Sequence, residues 1–181
     1  MDGFKNIEIQ NFKGIDQLKV DDFSRVNVFL GQNNSGKSTV LEAIHMLGGM
    51  SNPEMPQNLN RIRTKNFYAT FSDVSYLFHN MDVKNTPEFM AEQFDGNERK
   101  LRLNMSYTFD EKEMMSQSNP MKGGFPVSET KVYLNTLEMN FEITEQGVMK
   151  RRQSSITFKP DGALSDKKIA EGYLEKCQTV Y

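Results

Sequence analysis

The sequence predicts an α/β protein in which a phosphate-binding loop joins a short strand to a helix, followed by an antiparallel β-rich region. The segment Gly31–Thr39 matches the pattern G-x-x-x-x-G-K-[ST] without a gap. Further along, residues 100–109 and 131–144 alternate apolar and polar side chains, as half-buried antiparallel strands do. Together these observations predict a P-loop NTPase with an antiparallel β-rich subdomain.

The loop does not follow the first strand of the chain. Residues 7–12 alternate between apolar and polar types, which predicts a half-buried strand, and Lys13-Gly14 interrupts the pattern. A return strand is expected over Asp16–Val20. The phosphate loop is therefore predicted to follow an N-terminal β-hairpin, whereas many small P-loop kinases start directly with the strand that leads into the loop.

The flanks of the loop agree with the motif. Arg25–Leu30 is a short run rich in apolar, β-forming residues, which predicts a buried strand. Apolar residues recur at helical spacing through Lys37–Leu47, and Gly48-Gly49 provides a helix stop. Strand, loop and helix thus occur in the order that a phosphate-binding loop requires.

The whole chain is predicted as one domain, in which residues 1–47 hold the hairpin, the strand before the loop, and the helix after it. Residues 48–85 are expected to be loops and short helices, with starts at Ser51 or Asn52 and at Ser72-Asp73. Residues 86–165 are expected to form at least three antiparallel strands, with a candidate bulge near Thr136 where the alternation shifts phase. Residues 166–181 are expected to begin with a helix, over Asp166–Cys177, that leads back to the core.

The residue types of the loop fit the chemistry of a nucleoside triphosphate. Gly31 and Gly36 allow backbone conformations that turn successive N–H groups inward, around an anion. Lys37 would reach the β- and γ-phosphates, and the Ser38 hydroxyl would ligate Mg²⁺. ATP and Mg²⁺ are thus the expected ligands, and the predicted nucleotide-binding residues of the loop are Gly31, Asn33, Asn34, Ser35, Gly36, Lys37, Ser38 and Thr39.

Composition narrows the class of protein. The net charge of −2 gives no global basic signature for nucleic acid, and the single Cys177 excludes an intrachain disulfide or a multi-cysteine metal site. No stretch is apolar enough to cross a bilayer and no signal peptide is evident, which predicts a cytoplasmic protein. The 37% hydrophobic content is low for a self-contained core and indicates surface shared with another segment or partner.

The sequence offers no clear candidate for the acidic residue that a hydrolytic site needs. Hydrolysis needs a carboxylate that helps hold Mg²⁺, which in most P-loop ATPases follows a buried parallel strand. Asp110-Glu111 follows an apolar-containing strand, but residues 100–109 alternate as a half-solvated antiparallel strand does. This pattern favours a charged turn at Asp110-Glu111 over a catalytic position.

The residues that lead up to and through the loop resemble a known family. The segments 7–14, 26–30, 31–39 and Leu41-Glu42-Ala43-Ile44 are similar to the N-terminal lobe of ABC-type ATPases of the structural-maintenance-of-chromosomes and DNA-repair group. Within it, the sequence looks most like the OLD (overcoming lysogenisation defect) nucleases and related anti-phage defence ATPases. The strong resemblance covers residues 5–47.

The resemblance implies a site that is split between subunits. Such heads form a head-to-head homodimer around two ATP molecules, act on or with DNA, and take a signature Ser-Gly-Gly segment from the partner. Since no such segment is found here, the resemblance implies either the N-terminal part of a longer protein or a lone half of such a head. Lys13 resembles a basic position near the nucleotide in these heads, and Gln178 is the candidate for the family's Q-loop glutamine.

Three functional hypotheses remain open at the level of sequence. The leading one is an ATP-binding lobe of an OLD-like ATPase that gates a DNA-processing or anti-phage defence activity. The second is a module that senses nucleotide without hydrolysing it, which the lack of an acidic partner motif favours. The third is a small-molecule kinase, against which the N-terminal hairpin and the β-rich second half argue.

Overall fold

A computed structural model describes residues 3–64, 74–109, 133–159 and 162–170 of the chain. It contains two helices and seven strands within these ranges, with short 3₁₀ turns at Ser75–Leu77 and His79–Met81. In chain order, the elements are β1 Phe4–Phe12, β2 Ile15–Val20, α1 Lys37–Gly48, α2 Met55–Thr64, β3 Glu88–Gln93, β4 Glu98–Phe109, β5 Tyr133–Glu145, β6 Val148–Phe158 and β7 Leu164–Lys168.

The described strands form one antiparallel sheet in the order β2-β1-β3-β4-β5-β6-β7. The predicted N-terminal hairpin is confirmed, since Ile7 lies opposite Val20 and Phe12 lies opposite Ile15. The strands predicted over the second half are also confirmed. The alternation of apolar and polar residues predicted these strands correctly. A sheet with one face on the core and one face in solvent separates apolar from polar side chains residue by residue.

One face of the sheet carries the core. Side chains of α1 pack there against apolar residues that point inward from the strands, and α1 contacts β1, β3 and β4. Burial of each large side chain contributes about 1.5–3 kcal/mol to folding. The largest fully buried side chains of the described residues include Ile7, Ile9, Phe12, Phe89, Leu101, Phe141 and Phe158 from the strands and Met46 and Leu47 from α1.

The segment before the loop differs from its prediction. Residues 25–30 form no paired strand within the part of the chain that the structure describes, and Val26, Val28 and Leu30 are 80%, 73% and 88% exposed. Phe29 points the other way and packs against Phe23, with ring centroids 6.4 Å apart. The apolar run therefore covers the core with one side while its other side lies open.

Two further expectations were wrong. The register between β4 and β5 runs without a shift from Tyr133 to Thr144, so Thr136 is not a bulge. The phase changes because Leu134 lies on the outer face, whereas Leu137 is buried on the inner one. The helix predicted from Asp166 is also wrong at its start, because Asp166, Lys167 and Lys168 belong to β7 and pair with β6.

A helix was expected to start at Ser51 or Asn52, and α2 begins shortly after them, at Met55. Asn52 precedes α2, and its side-chain Oδ1 accepts a hydrogen bond from the Glu54 N–H, as a turn-forming residue before a helix does. Ser72-Asp73 lies outside the described residues, as do Asp110-Glu111, Cys177 and Gln178. The division into segments 1–47, 48–85, 86–165 and 166–181 stays a prediction.

Candidate functional site

The phosphate-loop motif forms a turn that ends at the N-terminus of α1. Gly36 is the N-cap residue, with φ 85° and ψ 0°, and the first helical bond runs from the Val40 N–H to the Gly36 carbonyl. No side chain caps this end and no acidic residue occupies its first turn. The N–H groups of residues 37–39 therefore have no intrahelical acceptor, and together with the helix dipole they favour an anion.

The Lys37 ammonium lies within the loop itself. Its Nζ donates to the carbonyl oxygens of Gly31 and Gln32, at 2.9 and 2.6 Å, and to Ser35 Oγ at 3.2 Å. These three oxygens hold a positive charge beside the N-terminus of α1. A cation and a row of N–H donors thus meet at one place, and a bound polyphosphate would draw the three Nζ donors away from these loop oxygens.

Glycine is needed at both ends of the motif. A Cβ at Gly31 would lie 2.8 Å from Ser35 Oγ, closer than a Cβ carbon comes to a non-bonded atom, so the Ser35 side chain would have to shift. Gly36 has open space around it, but its φ of 85° lies in the left-handed region that side chains disfavour. The two glycines therefore serve different purposes: the first allows close packing inside the loop, and the second allows the turn into α1.

A pocket of about 800 Å³ lies over the loop. Its lining brings together the predicted residues Asn33, Asn34, Ser35, Gly36, Lys37, Ser38 and Thr39, and adds Gly14 and Ile15 from the N-terminal hairpin. Ser38 is exposed in the first turn of α1, where its hydroxyl can reach a metal ion held by phosphate oxygens. The lining residues therefore fit a nucleoside triphosphate with Mg²⁺.

Lys13 takes a different position from the loop residues. Its Nζ lies 2.6 Å from Glu42 Oε2 on α1, and both side chains are 11% exposed. The structure thus places the ammonium on a buried carboxylate beside the pocket, while the neighbouring Gly14 lines the pocket directly. The hypothesis that Lys13 contacts nucleotide stays a prediction.

Sequence reasoning missed three residues that the structure adds to this region. Gly14 and Ile15 reach the pocket because the hairpin folds back over the loop, and no local pattern predicts that long-range contact. Glu42 could have been found from its spacing, because it follows Ser38 by one helical turn and so lies on the same face of α1.

Other kinds of site find no support among the described residues. No group of three or more His, Cys, Asp or Glu side chains there could hold a metal ion by itself. Within the same ranges, no helix is long and apolar enough to cross a membrane.

Comparison with known proteins agrees with a nucleotide-binding role. The chain is 30% identical over 117 residues to an ATP/GTP phosphatase of Helicobacter pylori, a match that covers 63% of this chain and 30% of that protein. It is 51% identical over 43 residues to the DNA replication and repair protein RecF of Lactococcus lactis, covering 24% of this chain and 12% of RecF. The RecF of Colwellia psychrerythraea is 36% identical over 69 residues.

These relatives support the resemblance to SMC-like ATPases, and the chain spans less than a third of the length of each. The family described as "AAA ATPase domain" matches residues 4–171, which is nearly the whole chain. The match agrees with the α/β, P-loop NTPase-like fold and implies ATP as a ligand. The chain therefore belongs to the AAA ATPase domain family.

Proposed function

We propose that this chain is the ATP-binding lobe of an ABC-type, OLD-like ATPase, in which ATP gates a DNA-processing or anti-phage defence activity. The observation that carries the proposal is the pocket itself. The phosphate loop lies at the uncapped N-terminus of α1, and the turn of an N-terminal antiparallel hairpin lines the same pocket. That arrangement supports an ABC-type lobe over a kinase, which has no need of a hairpin ahead of the loop.

Within this lobe, the loop residues divide the work of binding. The N–H groups at the start of α1 and the Lys37 ammonium would hold the phosphates, and the Ser38 hydroxyl would ligate Mg²⁺. The metal ion, when bound, neutralises negative charge on the phosphate oxygens. Asn33, Asn34, Ser35, Gly36 and Thr39, which line the pocket, would complete the loop around them. Gly31 is not among the lining residues and would shape the loop through its close approach to Ser35.

The proposal also concerns the activity of the whole protein, to which this chain would contribute the ATP-binding lobe. Since the chain spans less than a third of its relatives, further segments would supply the acidic residues and the signature segment. A head-to-head dimer closed by ATP would then bias a DNA-bound state, because a ligand shifts a conformational equilibrium by its differential affinity for the two states. The RecF relatives support DNA as the partner.

The test of the site is the affinity of the 181-residue chain for Mg-ATP, measured by isothermal titration calorimetry. Lys37→Ala should weaken binding by about 10- to 100-fold, because hydrogen bonds to charged groups contribute about 1.5–3 kcal/mol. Lys19→Ala is the matched control, since that lysine is 61% exposed and pairs with Asp21 on the hairpin. Unchanged affinity in Lys37→Ala would contradict the assignment of the phosphate loop.

Steady-state hydrolysis separates the leading proposal from the non-hydrolysing module. The full-length protein should hydrolyse ATP, and Lys37→Ala should abolish that activity. Tight Mg-ATP binding by the full-length protein without turnover would favour the nucleotide-sensing module. Transfer of phosphate to a small acceptor would revive the kinase.

DNA binding needs its own test, because the net charge of this chain gives no basic signature. Affinity of the full-length protein for duplex DNA should increase when a non-hydrolysable ATP analogue is present, and should fall steeply with salt. Sedimentation in the same conditions should show the analogue-dependent dimer. DNA affinity that does not respond to nucleotide would contradict the gating role.

A further inference from the structure

The turn between β1 and β2, Lys13-Gly14, forms a second wall of the nucleotide pocket. Gly14 and Ile15 line that pocket together with the phosphate loop, although they lie far from it in the sequence. The position of this hairpin turn therefore determines the shape of the space that a nucleotide would occupy. The residues that fix the turn are candidates for a role in binding even where they do not touch the ligand.

The backbone of the hairpin turn is held in an unfavourable conformation. Lys13 has a φ of 53°, in the left-handed region that a residue with a Cβ visits at a cost, while Asn11 in β1 has a φ of 54°, which asparagine tolerates better. Surrounding contacts hold Lys13 there: its N–H donates to the Leu77 carbonyl at 3.1 Å, and His79 Nδ1 lies 3.0 Å from its carbonyl oxygen. Such strain persists where neighbouring structure over-determines it, commonly at ligand sites.

The side chain of Lys13 ties the same turn to the phosphate-loop helix. Its Nζ lies 2.6 Å from Glu42 Oε2 and 5.4 Å from the ring centroids of both Phe12 and Tyr76. Glu42 belongs to α1, one turn after Ser38, so this ion pair bridges the two walls of the pocket. Both side chains are nearly buried, so water cannot take the place of either partner without a rearrangement. Removal of one partner would leave the other charge buried and uncompensated.

We propose that Glu42 is a positioning residue of the nucleotide site. Its carboxylate holds the Lys13 ammonium and thereby fixes the hairpin turn at a set distance from the phosphate loop. Glu42 acts through Lys13 and does not touch the nucleotide. This inference rests on the proposed nucleotide site and adds to it a contact that couples the N-terminal hairpin to α1.

The test is a double-mutant cycle on Mg-ATP affinity, with Glu42→Gln, Lys13→Met and the double variant. Each single variant should weaken binding by about tenfold, as expected when one coupling contact is lost. The double variant should be no weaker than either single variant, because both changes break the same link. Glu54→Gln is the matched control, since Glu54 forms an ion pair with Lys167 away from the pocket.

Unfolding curves of every variant, recorded without nucleotide, separate positioning from simple stability. Affinities are measured at a temperature where all variants are folded, so a merely structural pair would shift the unfolding midpoint and leave affinity unchanged. If Glu42→Gln does not fold, Glu42→Asp and the neutral double variant take its place; the shorter carboxylate should bind more weakly than wild type, while the double variant should fold.

Three outcomes would overturn the inference: wild-type affinity in folded Glu42→Gln or Glu42→Asp, single effects that multiply in the double variant, or loss of affinity in Lys13→Met alone. The last result would mean that Lys13 contacts the nucleotide directly. Failure of wild type to bind Mg-ATP, or wild-type binding by Lys37→Ala, would count against the proposed function and is thereby distinguished from failure of this inference.

Discussion

Gly36 begins α1 with a φ of 85°, a backbone conformation that other residues adopt at a cost, although a Cβ there would meet nothing within 4 Å. Gly36→Ala should destabilise the chain by about 1–2 kcal/mol, because the left-handed region places a Cβ too close to the following carbonyl oxygen. The measurement is urea unfolding without nucleotide.

Gly48→Ala is the matched control for that change. Gly48 is the last residue of α1, and a Cβ there would meet nothing within 4 Å. Alanine should leave stability unchanged or raise it, since it is the better helix former. Equal losses in both variants would mean that backbone conformation does not distinguish the two glycines.

Glu92 on β3 provides a pH-dependent contribution to stability. Hydrogen bonds from Lys5 Nζ and Asn6 Nδ2, both 2.9 Å long, hold the pKa of this carboxyl below its ordinary value. A lowered folded-state pKa contributes stability above the ordinary glutamate pKa, and that contribution is lost as the pH falls through the lowered value. The effect is small because the side chain remains 36% exposed.

Glu92→Gln should therefore lower the unfolding midpoint slightly at neutral pH, and the difference from wild type should disappear in acid. Thermal unfolding from pH 7 to pH 3 measures it. Glu98→Gln is the control, because Glu98 is exposed and forms no ion pair with another described residue. A difference that grows in acid would contradict the assigned direction of the pKa shift.

At the scale of the element, residues 25–30 show why an apolar run does not ensure a buried strand. Phe29 contributes to the core, but Val26, Val28 and Leu30 have no covering layer among the described residues. The sequence has the pattern of a strand that is buried on both faces, but in the structure only the face that carries Phe29 is covered. The low hydrophobic content had indicated surface of this kind.

These exposed side chains should make the isolated chain self-associate, because a row of apolar residues on an unpaired extended segment favours contact with another copy. Val28→Lys should lower the weight-average mass measured by light scattering at high protein concentration. Val148→Lys adds the same charge at another exposed site, 58% accessible, and should have little effect. Equal effects of the two changes would point to net charge as the cause.

The last described strand, β7, shows the opposite case, because it is a strand that no sequence pattern predicted. All five residues of β7 are exposed, so Leu164–Lys168 has no alternation for a sequence pattern to detect. Its position is set by pairing with β6, and its lysines suit an edge strand that must not recruit another chain. The helix expected from Asp166 relied on the spacing of Ile169, Ala170, Tyr173 and Leu174, and the last two lie outside the described residues.

At the scale of the molecule, local chemistry was predictable and long-range geometry was not. The loop from Gly31 to Thr39 was evident, because its function fixes residue types at fixed spacing. The antiparallel strands were evident because their alternation reports burial. The contact between the hairpin turn and the loop, and the Lys13–Glu42 pair, depend on how distant segments pack, which no single-sequence pattern encodes.

Ser154 joins three distant parts of the molecule through one buried hydroxyl. Its Oγ donates to the Ser51 carbonyl between α1 and α2, at 2.7 Å, and accepts a hydrogen bond from the Ala170 N–H after β7, at 3.0 Å. Ser154→Ala should lower the free energy of unfolding by about 1–3 kcal/mol, because it removes the buried partner of both backbone groups. Urea unfolding measures the loss.

Ser155→Ala is the matched control for Ser154, since Ser155 is the next residue on β6, is half-buried and points to the other face of the sheet. It should change stability by less than about 0.5 kcal/mol, as surface changes on a sheet do. Hydrogen exchange would show whether the loss is local to this junction. The Ala170 amide should lose protection in Ser154→Ala, while amides at the centre of β4 keep theirs. Uniform loss across the sheet would show instead that Ser154 stabilises the whole fold and not this junction.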